Sequence, residues 1–174
     1  MKSKENIVFL GMMGSGKTSI GSLISKKLKK DFYDTDQYIE KKLNITISKI
    51  FRDKGEKFFR ELEEKITLQI LKNKNIVVAL GGGAFLNKNI RNEILKNHCS
   101  FWLNCDSETI IKRIKNNPKR PLVYNLTNLE IINLIKKRSN SYSKASFNVN
   151  CSNLTKKQII NKIIKIYETN KIKD

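Results

Sequence analysis

Histidine occurs once in the 174 residues, at His98, which argues against a histidine-based triad or metal cluster. The three cysteines, Cys99, Cys105 and Cys151, form no C-x-x-C pair and no zinc spacing. They read as reduced, partly buried thiols, the state expected of a cytoplasmic protein. No apolar run is long enough for a signal peptide or a membrane span, since Ile7–Leu10 has only a strand's length, so no membrane association is expected. Proline occurs twice, at Pro118 and Pro121, and no repeat, linker or low-complexity tract divides the chain. One domain spanning 1–174 is expected, large enough for a substantial core.

Acidic residues are scarce. Sixteen Asp and Glu stand against 35 Lys and Arg, giving a net charge of +19. The lysines are scattered singly and in pairs among many Asn and Ile, the pattern of a compositional drift. With no basic tail, no aromatic–basic run and no RNA-binding signature, a nucleic-acid partner is not expected. The positive field instead favours small anionic substrates. A monomer is the expected state.

Against these absences stands one dense stretch, Ile7 to Gly21, reading IVFLGMMGSGKTSIG. Ile7–Leu10 has the look of a buried strand, and Ile20, Leu23, Ile24 and Leu28 recur at helical spacing after it. Between them, Gly11-Met12-Met13-Gly14-Ser15-Gly16-Lys17-Thr18 matches G-x-x-x-x-G-K-[ST], the phosphate-binding P-loop. Glycines let successive backbone N–H groups converge on an anion, and the helix beginning there adds its positive end. Lys17 would bridge the β- and γ-phosphates, and the Thr18 hydroxyl would bind Mg²⁺. With Gly14, Ser15, Gly16 and Ser19 these residues form the expected ATP-binding set. A nucleoside triphosphate is the expected ligand.

Further along, Asp31–Asp34 reads as a second strand, and Asp34-Thr35-Asp36 opens a helix with Tyr38, Ile39 and Leu43 on its apolar side. If this tripeptide is extended, both carboxylates project from one face at a strand's carboxyl end, where α/β sheets bind ligands. Such a pair can hold Mg²⁺ through water, accept hydroxyl hydrogen bonds or take a proton, while helix capping would occupy one acid. Helices are expected over Ile45–Asp53 and Lys57–Leu71, broken at Gly55-Glu56, with Phe58, Leu62, Ile66 and Ile70 as core. Arg60 is either an ion-pair partner of Glu56 or Glu64 or a fork that grips a ligand carboxylate.

Asn75–Leu80 is a strand expected beside the P-loop strand in a parallel sheet. The Gly81-Gly82-Gly83 after it implies a close approach of ligand or packed element, and its position favours a ligand. Helix Asn87–Lys96, strand Ser100–Leu103 and helix Asp106–Lys115 follow. Both prolines then fall in Asn116–Leu122, a polar segment with the character of a lid, flanked by Arg113 and Arg120. A lid arginine closing on phosphates would stabilise the transferring charge. Helix Asn128–Ser143, strand Phe147–Asn150 and helix Thr155–Asn170 end the chain.

Taken together, GMMGSGKT, DTD at 34–36, GEKFFRELE at 55–63, GGG at 81–83, RPL at 120–122 and Arg138-x-x-x-Tyr142 resemble the shikimate kinases, small P-loop kinases related in fold to nucleoside monophosphate kinases. The resemblance runs from Ile7 to about Ile164. It implies a three-layer α/β P-loop NTPase fold, with a central five-stranded parallel sheet flanked by helices. A substrate-binding helical segment near 34–62 and a mobile lid near 115–125 would complete it. It implies ATP and Mg²⁺, and transfer of the ATP γ-phosphoryl group to the shikimate 3-hydroxyl, a step of aromatic amino-acid (chorismate) biosynthesis. Asp36, Arg60, Gly82 and Arg138 would bind shikimate, with Gly81 and Gly83 beside them, the arginines taking its carboxylate and Asp36 its hydroxyls. Asp34 and Thr18 would lie at the metal. Lys17, Asp34, Asp36 and Arg120 would be the catalytic group, Arg120 reaching ATP from the lid and Arg113 lying beside the adenine. The loop Cys151-Ser152-Asn153-Leu154 departs from the arginine or proline usual there, leaving Asn153 as the nucleotide contact carried over, and Val123 follows RPL where leucine is common.

Three other functions compete. Gluconate and nucleoside monophosphate kinases share the P-loop but not the combination of DTD, GExxFRxxE and GGG. A regulatory GTPase would need N-K-x-D, whereas both NKN runs, at 73–75 and 87–89, continue with Ile. A non-catalytic ATP-binding homologue is at odds with intact Lys17, Asp34, Asp36, Arg60 and Arg138.

Overall fold

The computed structural model describes residues 6–115 and 126–171. In chain order these form β1 (Ile7–Leu10), α1 (Lys17–Leu28), β2 (Asp31–Asp34), α2 (Thr35–Leu43), α3 (Ile47–Leu71) and β3 (Ile76–Ala79). A 3-10 turn (Ala84–Leu86) precedes α4 (Lys88–Asn97), β4 (Cys99–Asn104) and α5 (Ser107–Lys115). Then come α6 (Asn128–Tyr142), β5 (Phe147–Asn150) and α7 (Lys156–Lys171).

The strands form one parallel sheet in the order β2-β3-β1-β4-β5. Parallel neighbours need crossover connections, and the helices between successive strands supply them. In a sheet covered by helices both strand faces are buried, so the strands read as continuous apolar runs. IVFL in β1 and IVVA in β3 are buried at every position. Phe9 at the centre pairs with Ala79 on one side and Phe101 on the other. From β1 the chain passes beyond β3 to β2, whereas β4 and β5 lie on the opposite side of β1. That reversal opens a crevice at the strands' carboxyl ends, above β1 and its neighbours.

Capping residues start several helices where the sequence changes period. Asp34 caps α2, accepting from the N–H groups of Asp36 and Gln37; Thr46 caps α3, and Asn87 caps α4. Thr127 and Glu130 form a capping box on α6. The α1 helix lies so close to β2 that a Cβ on Gly21 would come within 2.7 Å of the Phe32 ring.

Three expected core positions turn out exposed: Leu23 at 42%, Leu43 at 37% and Phe58 at 40%. In α1 the buried stripe runs through Ile20, Gly21, Ile24 and Ser25, which leaves Leu23 off its edge. In α3 the cause is Gly55, whose φ of 80° and ψ of 170° break the helix and reset its phase. The buried stripe after the break is Phe59, Glu63, Ile66 and Ile70, not one beginning at Phe58. Phe59 packs tilted against Phe51 across the break, ring centroids 4.8 Å apart, while Lys54 Nζ lies 5.2 Å over the exposed Phe58 ring. The tripeptide Asp34–Asp36 is likewise not extended throughout, because Asp36 already belongs to α2.

Ile24 is fully buried. Ile24→Ala should cost about 2–5 kcal/mol through lost burial and a residual cavity. Leu23→Ala should stay within about 0.5 kcal/mol. Urea unfolding of the two variants, compared with the parent, checks the pair.

Candidate active site

The strand β1 delivers the chain to the P-loop, and α1 begins on it. Gly11, Gly14 and Gly16 all have positive φ, at 137°, 82° and 96°. A Cβ on Gly11 would sit 2.7 Å from the Leu103 carbonyl oxygen of β4, so the loop can lie this close to the sheet only with glycine there. Lys17, the first residue of α1, is buried, and its Nζ donates to the carbonyls of Gly11 and Met12 at 2.9 Å each. The loop thus closes around its own lysine. The Ser15 Oγ is buried in the same loop without a hydrogen-bond partner.

An open cleft of ≈ 990 Å³ runs along this loop, with Lys17, Thr18, Asp34, Asp36, Gly82 and Arg113 in its lining. Both acids of the DTD triplet therefore share one cavity with the P-loop. Their local roles differ. Asp34 uses Oδ1 to cap α2, at 3.1 Å from Asp36 N and 3.2 Å from Gln37 N, and Oδ2 to accept the Thr18 hydroxyl at 2.6 Å. Asp36 is half-buried, and its pKa is pushed up to about 7, chiefly by burial and then by the negative charges of Glu63, Asp34 and Glu40; Lys17 opposes the rise. One carboxylate is fixed and paired, while the other sits near neutrality in its proton affinity.

The glycine triplet after β3 explains itself in three contacts. A Cβ on Gly81 would overlap Asp36 Oδ1 and lie 2.8 Å from Glu63 Oε1. One on Gly82 would lie 3.3 Å from Arg138 Nη1, and one on Gly83 2.6 Å from Arg60 Nη1. What approaches this turn is a set of charged side chains, gathered against a backbone with no side chains of its own. Three further bonds fix the turn. Gly81 N–H donates to Thr35 Oγ1 at 2.8 Å, Arg138 Nη1 donates to the Gly82 carbonyl at 3.3 Å, and the buried Tyr142 hydroxyl makes a short bond to that same carbonyl.

Arg60 pairs with Glu56, as one sequence reading expects, but its second partner is Glu63 rather than Glu64. Nε and Nη2 each donate to Glu56 Oε1 at 3.2 Å, and Nη1 donates to Glu63 Oε2 at 2.7 Å. Glu64 is turned away, accepting from Asn87 and Asn89. Burial disfavours the Arg60 charge, but Glu63 and then Glu56 outweigh it, so the guanidinium holds its proton more firmly than usual. Glu63 is only 2% exposed. Burial raises its pKa, while Arg60 and Arg138 pull it back. The Arg138 Nε is buried and has no hydrogen-bond partner.

Glu63 is the member of this cluster that sequence reasoning passes over. Its signal was the phase of α3: a carboxylate four residues after Phe59 and three before Ile66 falls on the apolar stripe. A buried acid requires a cation, and Arg60 stands one turn before it.

Toward the other end of the cleft, Arg113 of α5 donates from Nη1 to the Gly14 carbonyl at 2.9 Å. Ser19 is exposed, with its Oγ 3.4 Å from Lys156 Nζ of α7. Asn153 occupies a left-handed turn position (φ 58°) after β5, outside the cleft lining, which its neighbour Leu154 joins. Arg120, the RPL at 120–122, Val123 and the lid segment beyond Lys115 lie outside the described residues. Among the described residues, no group of three or more His, Cys, Asp or Glu side chains could hold a metal, and no helix is long and apolar enough to cross a membrane.

Comparison with known proteins adds to this geometry. A family model described as shikimate kinase matches residues 13–168. A shikimate kinase of Caldicellulosiruptor bescii is 40% identical over 164 residues, covering 94% of this chain and 95% of that protein. The solved structure of a shikimate kinase from Acinetobacter baumannii in complex with shikimate superposes with a TM-score of 0.90 at 27% identity, covering 97% and 96% of the two chains. That of Aquifex aeolicus gives 0.84 at 32% identity, covering 95% and 97%.

A pH prediction comes from Asp36. Its folded-state pKa of about 7 lies above the ordinary 3.8, so the folded protein keeps a proton that the unfolded chain has lost between those values. Stability attributable to this group therefore falls as pH rises from 4 toward 7. Asp36→Asn should remove the fall and leave the variant more stable than the parent at pH 8, by on the order of 1–3 kcal/mol after allowance for partial solvation. Urea titrations at pH 5, 6, 7 and 8 check it; a difference between the two proteins that is constant with pH would mean an ordinary ionised carboxylate.

Proposed function

The chain belongs to the shikimate kinase family, and from that membership we infer how its own residues divide the transfer of the ATP γ-phosphoryl group to the 3-hydroxyl of shikimate. As a member it is an ATP-dependent kinase acting on a hydroxyl group, in aromatic amino-acid biosynthesis. The observation that carries the acceptor side is the glycine turn, which gathers Asp36, Arg138 and Arg60 at three successive residues beside the phosphate loop.

On the donor side, the backbone N–H groups of the loop at Gly14–Lys17 and the start of α1 receive the phosphates. Lys17 exchanges its bonds to the Gly11 and Met12 carbonyls for phosphate oxygens and follows the charge as it moves toward the acceptor. Ser15, Thr18 and Ser19 continue the contact surface, and Arg113 with the 151–154 loop border the nucleoside. Arg120, which lies outside the described residues, is assigned to charge stabilisation on the transferring phosphoryl group by family resemblance alone. Mg²⁺ fits the Thr18–Asp34 pair, two hard oxygens 2.6 Å apart, with no third acid of the kind a fully protein-bound ion would need among the described residues. When bound, it would neutralise charge on the β- and γ-phosphates.

On the acceptor side, Asp36 accepts the proton of the attacking hydroxyl. A general base works best with a pKa near the operating pH, and burial beside Glu63 brings Asp36 to that range. Arg138 and Arg60 hold the shikimate carboxylate. Arg138 has an unused buried donor, Nε. Arg60 keeps its buried pairing to Glu63 and releases the one to Glu56, whose side chain is 67% exposed and whose ion pair is therefore weak. The enzyme works as a soluble monomer on these two small molecules. No covalent enzyme intermediate is needed, because alignment and charge stabilisation carry the reaction.

A coupled assay of ADP release with Mg-ATP tests this against gluconate and AMP as competing acceptors. Turnover with shikimate alone is expected; turnover with either competitor at a comparable rate would redirect the assignment. Lys17→Ala should lower kcat by at least about 100-fold, the scale of losing one transition-state charge contact. Arg60→Ala should raise the KM for shikimate by roughly 10-fold or more while leaving that for ATP nearly unchanged. If both constants rise together, Arg60 is not a carboxylate clamp.

A further inference from the structure

Cys105 and Cys151 take no part in the transfer, yet they stand together beside the phosphate loop. In the β4–β5 ladder Asn104 pairs with Asn150, and the ladder continues one step, with Cys151 N–H donating to the Asn104 carbonyl at 2.8 Å. The two cysteines are the next residues across. Adjacent strands lie about 4.8 Å apart, within the span of about 4.4–6.8 Å that a disulfide bridges between Cα atoms. Both residues are buried, 7% and 5% exposed, and the Cys151 Sγ donates to the Val149 carbonyl at 3.2 Å.

Cys105 also touches the loop. Its Sγ donates to the Ser15 carbonyl at 3.7 Å, and Arg113 Nη1, bound to the Gly14 carbonyl, lies 4.0 Å from that sulfur. The neighbouring Cys151 thiol draws the Cys105 pKa down to about 7, with burial opposing and Arg113 assisting. The Cys105 neighbour, and burial after it, push the Cys151 thiol up. One sulfur is suited to attack and the other to resolve.

We propose that Cys105 and Cys151 form an oxidisable dithiol, that hydrogen peroxide closes it to a disulfide, and that closure weakens nucleotide binding. The Cys105 thiolate attacks one peroxide oxygen, the O–O bond breaks, and the leaving hydroxide takes a proton to become water. Cys151 then attacks the Cys105 sulfenic acid, forming the S–S bond and expelling a second water with the Cys151 proton. Two thiols lose two electrons in all, and one peroxide gains them. Hydrogen peroxide is near water in size, which suits thiols this enclosed. Closure turns the Cys105 sulfur toward β5, removing its bond to Ser15 and its contact with Arg113. The disulfide stands on the strand geometry alone; its effect on ATP rests on the loop being the nucleotide site.

The test treats the reduced full-length enzyme with hydrogen peroxide, maps its peptides by mass spectrometry without reductant, and measures KM for ATP and for shikimate before, after and following dithiothreitol. Expected are a Cys105–Cys151 cross-link and an ATP KM raised about 3- to 10-fold, the worth of one lost hydrogen bond, with the shikimate KM nearly unchanged and everything restored by reductant. Cys105→Ser and Cys151→Ser should each abolish the cross-link and the reversible rise. Should neither variant fold, the wild-type chain still decides, because saturating ATP must slow cross-linking. Unlinked peptides, oxidation confined to Cys99, or a cross-link with unaltered ATP affinity would overturn the proposal. If the reduced enzyme lacks turnover with shikimate, ATP titration by calorimetry still reads the effect, and only the reading of function falls.

Discussion

A buried negative charge sets the terms around the glycine turn that follows β3. Glu63 is carried into the interior by the apolar stripe of α3, where an unpaired carboxylate would be too costly to keep. Arg60 answers it directly and Arg138 electrostatically, and each guanidinium is thereby drawn to the glycine turn. The turn has no side chains because these groups occupy the space. Asp36, by its burial and then by facing the same carboxylate, is pressed toward its neutral form. One residue thus orders two cations and tunes the proton affinity of a third group.

The phosphate loop rests on a different constraint, the fit of backbone against backbone. Gly11 passes under the Leu103 carbonyl, Lys17 returns to the loop carbonyls, and Thr18 ties the start of α1 to Asp34 at the end of β2. The two meet where Gly82 comes near Met13 of the loop and where Arg138 and Tyr142 share the Gly82 carbonyl. The phosphate loop and the glycine turn are therefore spaced by the pairing of β1 with β3.

Much of this is legible in the amino-acid order because buried parallel strands and helices have distinct periods. IVFL, NIVVAL and SFWL announce β1, β3 and β4, and the spelling GMMGSGKT carries the phosphate loop with it. The neighbourhood of β1 and β3 also follows from the alternation of elements. What could not be read was phase and partnership. Gly55 resets α3, so Phe58 and Phe59 exchange places between surface and core. Arg60 selects Glu63 over Glu64 for the same reason. That three glycines enclose side chains, with room for a ligand beyond them, depends on contacts between segments far apart in the chain, which no local pattern encodes.

The strand order has a consequence for how the chain is made. Central β1 is synthesised first, but its partners are late: Ile7 pairs with Val77 and with Cys99, 70 and 92 residues further on. Its edge neighbour in sequence, β2, never touches it. On the ribosome, a wholly apolar tetrapeptide must wait, unpaired on both edges until β3 has emerged and on one edge until β4 has, when more than half the polypeptide is out. Such long-range pairing is slow and exposed to aggregation. The lysine-rich composition gives the waiting nascent chain a strong like-charge repulsion from its neighbours, a form of protection that acts before any fold exists.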